Sequence, residues 1–215
     1  MNSSFDASCR RCPRLAAFLD AVHLEEPDYY CRPVPPFGDP NARLLIVGLA
    51  PGMHGANRTG RPFTGDHAGI LLYATLHKFG LATGPVSRAF DDGLELSGAR
   101  ITNSVKCLPP ANKPLPIEIK LCNDFLRAEL EDSRSVRVVL ALGAIAHAAV
   151  LRASDMASGA FRFAHGAEHA LNQDRVLVDS YHCSRYNTQT RRLTTTMFED
   201  VVGRACALAF GSRPG

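Results

Sequence analysis

Four short runs of apolar, largely β-branched residues constrain the fold more than anything else in this chain. They are RLLIVGL (43–49), RITNSV (100–105), VRVVLAL (136–142) and RVLVD (175–179). Runs of this length without polar alternation read as strands buried on both faces. Helical spacing fills the gaps between them. Leu72, Leu76 and Phe79 recur at i, i+4 and i+7, and Leu121 and Phe125 lie four apart. Residues 143–151 form a small-residue helix, and Met197, Val201, Ala205 and Leu208 line a C-terminal stripe. A short helix is also expected between Cys9 and Asp20. Strands alternating with helices predict an α/β fold: a three-layer α/β/α sandwich with a central, mainly parallel four-stranded sheet, in one domain spanning 1–215. Functional groups then belong at the C-terminal ends of the strands, where the chain reads GLAPG, NSVKCLPP, LALGA and SYHCS. CRPVPPFGDP (31–40) reads as a surface crossing. Residues 153–174 read as a loop with room for a hairpin.

Bulk properties exclude several classes. An apolar fraction of 46% and a charged fraction of 21% are those of an ordinary soluble protein. No apolar stretch approaches the roughly 20 residues of a membrane span, and MNSSFDASCRRCPRL lacks the apolar run of a signal peptide. A cytoplasmic monomer is the expectation, with no membrane and no protein partner. A net charge of +3 does not by itself call for a polyanion. Its distribution is more informative: Arg58 and Arg61 would form a basic face with Arg185, Arg191, Arg192, Arg204 and Arg213 if the two regions meet.

Seven cysteines, an odd number, do not suggest a disulfide framework. Cys9 and Cys12 form C-x2-C, and Cys107 and Cys122 are separated by fourteen residues. Four thiolates from two distant segments suit tetrahedral zinc or an iron–sulfur cluster equally well. Cys31, Cys183 and Cys206 have no partner at metal-like spacing, and Cys206 lies on the C-terminal helix stripe as a core residue would.

The loop after the first strand, GLAPGMHGANRTGRPFTGD (48–66), holds five glycines. It lacks the G-x-G-x-x-G spacing of a dinucleotide site, and it has no lysine for a Walker A loop. Taken whole, it resembles the first motif of the family 5 (type b) uracil-DNA glycosylases. ITNSVKCLPPANKPLP (101–116) resembles that family's second segment, and SYHCSRYNTQTRRLT (180–194) resembles its histidine motif and DNA-inserting loop. Cys9, Cys12, Cys107 and Cys122 match, in order and approximate spacing, the ligands of the group's 4Fe-4S cluster.

The resemblance implies a DNA repair enzyme; the motifs offer no plausible lysine nucleophile, so it is expected to be monofunctional, and its expected address is cytoplasmic, associated with the nucleoid. It would flip uracil, hypoxanthine or xanthine out of DNA, hydrolyse the N-glycosyl bond and leave an abasic site. Phe63 would stack on the flipped base. Asn103, with an amide donor and acceptor, complements O4 and N3–H of uracil. His182 would donate to O2, where charge develops. His54 and Asn57 could position the sugar or a water. Ala50 occupies a position that bears Asp or Asn in several related families, so the water must be held elsewhere, first by Asn57 and second by Asp66. At the loop tip, Arg185, Tyr186 and Asn187 would wedge the minor groove, while Arg58, Ser184 and Thr188 would hold phosphates. Cys183 replaces the proline of H-P-S and is expected to loosen that turn. The cluster is implied to be structural. Two other readings of the residues are a nucleotide-binding α/β enzyme and a non-catalytic iron–sulfur DNA-binding protein on a related fold.

Overall fold

The computed structural model describes residues 5–172 and 174–211. Its elements run α1 (Pro13–Glu25), β1 (Phe37–Gly38), β2 (Leu44–Gly48), α2 (Ala56–Thr59), α3 (His67–Lys78), β3 (Ala99–Asn103), α4 (Pro116–Asp132), β4 (Val138–Leu142), α5 (Ala144–Ala153), β5 (Glu168–Ala170), β6 (Val176–Ser180), α6 (Arg185–Gln189) and α7 (Thr195–Phe210). One sheet has the order β1-β3-β2-β4-β6-β5. Its inner four strands are parallel, and β1 and β5 pair antiparallel to their neighbours at the two edges.

The four expected strands are these inner four, and the sheet exceeds the expected count by the two edge strands. β1 has two residues and β5 has three, too short to display any periodicity. Segment 31–40 is therefore more than a surface crossing: it carries β1, buries Val34, and donates the Val34 amide to the Lys106 carbonyl at 2.7 Å. The hairpin in 153–174 is β5 turning into β6, closed by the Leu171 amide on the Arg175 carbonyl at 2.8 Å.

Side-chain alternation divides the core into two layers. Leu44, Ile46, Ile101, Leu140 and Val178 face Leu72 and Leu76 of α3 and Phe198 and Val202 of α7. Leu45, Val47, Val139, Ala141 and Leu177 face Leu126 and Leu130 of α4 and Ala146 and Val150 of α5. β2, β4 and β6 thus contribute to both layers, as strands read from apolar runs should, while β3 gives Ala99 and Ile101 to the first layer only. α1 packs Leu15 beside Val105 and Phe125, at the edge where the four clustered cysteines gather. Among the described residues, no helix is long and apolar enough to cross a membrane.

Candidate active site

The C-terminal ends of β2, β3 and β4, and the turn after β6, open onto a cavity of about 500 Å³, within the range that encloses a small ligand. Ala50, Phe63, Asp66, Asn103, His182, Ser184 and Arg185 all line it. Seven expected residues, drawn from three distant segments, therefore meet at one opening.

Phe63 and Asn103 share a wall because Gly48 has no side chain. Gly48 and Asn103 are register partners at the ends of β2 and β3. A Cβ on Gly48 would lie 2.4 Å from Asn103 Oδ1 and 2.6 Å from Phe63 Cζ. Phe63 adopts φ +57°, the left-handed region that an aromatic side chain enters only under constraint. Its ring lies nearly parallel to the His182 ring, 27° apart with centroids at 5.9 Å. The Asn103 amide is buried and lines the cavity. No protein group among the described residues hydrogen-bonds to it, so donor and acceptor are both available to a ligand.

Asp66 stands at the N-terminus of α3. Its carboxylate accepts from the amides of Ala56, at 3.2 Å, and Gly52. The space is cleared by glycine again: a Cβ on Gly55 would fall 1.9 Å from the carboxylate. Burial holds this group above the ordinary carboxylate range, opposed by those amides and by Arg58 and His54. A desolvated carboxylate at a cavity wall is suited to accept a proton.

Burial drives the His182 imidazole down to about 4. The ring is therefore neutral at pH 7 and donates through one N–H only. Its backbone is pinned rather than loose, because Asn187 Nδ2 donates to the His182 carbonyl at 2.8 Å. Ser184 caps α6, accepting the Asn187 amide on Oγ at 3.4 Å. Cys183, fully buried, packs into the core beneath, and desolvation pushes its thiol up to about 12. The turn needs no proline when capping and packing hold it.

Other expected residues lie outside the cavity. Asn57 is fully buried and donates from Nδ2 to Cys31 Sγ at 3.5 Å, with its Oδ1 unpaired. His54 is exposed, its Nδ1 2.8 Å from the Tyr29 hydroxyl. Arg58 is exposed, with Nε on the His54 carbonyl at 2.7 Å. Arg185, at the cavity mouth, and Tyr186 project from α6 into solvent, whereas Asn187 turns back into the protein. The Thr188 hydroxyl sits 3.1 Å from His67 Nε2. The basic face is smaller than the sequence suggested. Arg61 leaves it, buried against Asp92 and the Phe37 ring, and Arg204 pairs with Glu168, while Arg192 stays exposed over Tyr181; Arg213 lies outside the described residues.

A second, smaller cavity is lined by all four of Cys9, Cys12, Cys107 and Cys122. The Lys106 amide donates to Cys122 Sγ at 3.3 Å. Burial and the neighbouring thiols raise Cys107 far above the usual range, and burial raises Cys122 to about 11. Without a cation to stabilise the thiolates, such a group would stay protonated. The donor set fits a metal group held by four sulfurs.

A profile of the uracil DNA glycosylase superfamily matches residues 35–205. A type-5 uracil-DNA glycosylase of Thermus thermophilus is 49% identical over 208 residues, covering 94% of each chain. The chain belongs to the type-5 uracil-DNA glycosylases. A type-5 enzyme of Pyrobaculum aerophilum is 44% identical across 93% of this chain and 88% of its own. A type-4 enzyme of Archaeoglobus fulgidus is 34% identical across 65% of this chain and 56% of its own.

In this type-5 glycosylase, the lining residues not singled out from the sequence include Asn112, His67 and Ile145. Asn112 adopts φ +55° after Ala111 at φ +53°, a left-handed pair in the proline-flanked turn PPANKP. That turn is the signal that could have marked it, since asparagine tolerates this region well.

Proposed function

We propose that this chain flips uracil out of DNA and hydrolyses its N-glycosyl bond, leaving an abasic site. The observation that carries the reading is the buried Asn103 amide, unclaimed by protein among the described residues, beside the Phe63 and His182 rings on the wall of one cavity. Phe63 supplies a stacking face. Asn103 offers the donor–acceptor pair that matches O4 and N3–H of uracil. As the bond between N1 and C1′ breaks, its electron pair leaves with the base and negative charge collects on O2. The neutral His182 donates a hydrogen bond there, stabilising the charge without protonating the base. Water adds to C1′, and its proton passes to Asp66. Asp66 is preferred over Asn57 because it lines the cavity and Asn57 does not. Asn112, also on the wall, is a second group suited to hold that water.

None of the cavity-lining residues is a lysine, which supports a monofunctional enzyme that leaves the DNA strand intact. The Ala50 methyl leaves this part of the wall unable to hydrogen-bond, which supports acceptance of hypoxanthine and xanthine beside uracil. Arg185 and Tyr186 enter the DNA groove, with Arg58 and Ser184 nearer the phosphates.

Cys9, Cys12, Cys107 and Cys122 would hold a 4Fe-4S cluster. When bound, it supplies a rigid anchor for the segment after Asn103.

Incubation with uracil-containing DNA, followed by hot alkali, tests the function. Strand scission after alkali, and none before it, is expected. Scission before alkali, covalent trapping by borohydride, or no product from uracil, hypoxanthine or xanthine would overturn it.

A further inference from the structure

We infer that His147, His169 and Asp179 form a binding site for a first-row divalent cation of the zinc type, apart from both the base pocket and the four cysteines. The three residues come from α5, β5 and β6, and none lines either of those cavities. His147 Nδ1 lies 2.8 Å from Asp179 Oδ1, and His169 Nε2 lies 3.1 Å from Asp179 Oδ2. Asp179 is 0% exposed and His147 4%.

Proton bookkeeping gives the site its character. His147 Nε2 faces the Phe161 carbonyl at 3.2 Å, which can only accept, so Nε2 must carry the hydrogen. In the neutral ring, Nδ1 is then a lone pair aimed at a carboxylate oxygen, which is repulsive. The contact holds only if an extra proton is buried there or if a cation joins the two atoms. A divalent cation satisfies both lone pairs at once and also engages His169. The outer contact fits as well, since a metal-ligating imidazole usually donates its second N–H to a carbonyl or carboxylate. Two imidazoles and a carboxylate form a known zinc set with one position left for water. Such a set disfavours magnesium and calcium, which prefer oxygen donors. His169, on the edge strand, is the less buried histidine and gives the cation its route in. Binding would tie α5 to the β5–β6 hairpin.

The test uses the intact protein, stripped with EDTA, exposed to Zn²⁺, desalted and analysed for zinc and iron by mass spectrometry. Thermal melts are recorded with and without the ion. Wild type is expected to retain one more zinc per chain than His169→Ala, with equal iron in both, and only wild type should melt higher with zinc. Because the readout is a difference between two proteins, it holds whatever metal the cysteines carry. Equal zinc in both proteins, or none retained by either, would mean that an ordinary buried proton joins His147 to Asp179, and the cation site would be withdrawn.

Discussion

A methyl group on Gly48 would overlap Asn103 Oδ1 and the Phe63 ring, so one missing side chain lets the Asn103 amide and the Phe63 ring meet. The same economy surrounds Asp66, whose carboxylate fills the space that a Gly55 side chain would take. Two carriers for the water were legible in the sequence, and burial separates them. Asp66→Asn is expected to lower kcat about 10²-fold with melting little changed, the usual size of a lost general base. Asn57→Ala should instead lower Tm and leave kcat nearly intact. Steady-state kinetics and melts on both variants check this, and the opposite pattern would restore Asn57. His182 gives a pH prediction. Its folded value of about 4 lies below the roughly 6.5 of an unfolded histidine. As pH falls from about 6.5 towards 4, the unfolded chain takes up a proton that the folded one refuses, and stability declines across that window. Above it, the ring stays neutral and this contribution is fully present. A single-turnover profile should therefore show no His182 step near 6.5 and a decline only towards 4. His182→Ala should lose about 10²–10³ in rate, the range for one oxyanion donor. A step centred near 6.5 that disappears in His182→Ala would mean that the charged ring acts.

At the scale of elements, the inner strands were readable from short runs of apolar and β-branched residues, and α3, α4, α5 and α7 from apolar faces at helical spacing. β1 and β5 were not, because edge pairing depends on the strand beside them rather than on their own two or three residues. The fate of Arg61 was equally hidden: its partner Asp92 lies beyond α3, and nothing local distinguishes a buried arginine from one facing DNA. The short helix α6 shows the same division. Arg185 and Tyr186 at its exposed tip were legible from their types. The inward turn of Asn187 was not, since it depends on where the His182 carbonyl finally points. That contact makes Asn187 a positioning residue that joins the helix to the histidine turn. Asn187→Ala should weaken affinity for duplex uracil-DNA several-fold, while excision from single-stranded DNA, where less extrusion is needed, changes less. Binding by anisotropy and excision rates on the two substrates check it. Equal losses on both would place Asn187 in the chemistry instead.

Across the whole molecule, the cysteine cavity and the base pocket are joined by one short piece of chain. Asn103 ends β3, and Cys107 follows four residues later. Lys106 lies between them: its amide holds Cys122 Sγ, and its buried ammonium reaches Glu129 at 2.6 Å and the Thr102 hydroxyl beside Asn103. The sequence supplied the spacing of the four cysteines but not this buried pair, since Glu129 on α4 reads as a surface residue. Removing one partner of such a pair leaves an uncompensated charge and typically costs about 3–5 kcal/mol, so the segment has little freedom once its anchor is in place. Cys9 and Cys12 bring α1 to the same point, and Cys122 brings α4. A cluster held there would fasten two helices and the Asn103 end of β3 together, outside the cavity that Asn103 lines. Cys107→Ser should therefore lose iron and lower Tm by several degrees, and DNA affinity should fall as Asn103 loses its support. The rate of the chemical step, measured on enzyme saturated with substrate, should change least. Metal analysis, melting, binding and single-turnover excision on one preparation separate these quantities. A variant that kept its stability and DNA affinity yet lost excision would make the cluster part of the chemistry, and the anchoring role would be wrong.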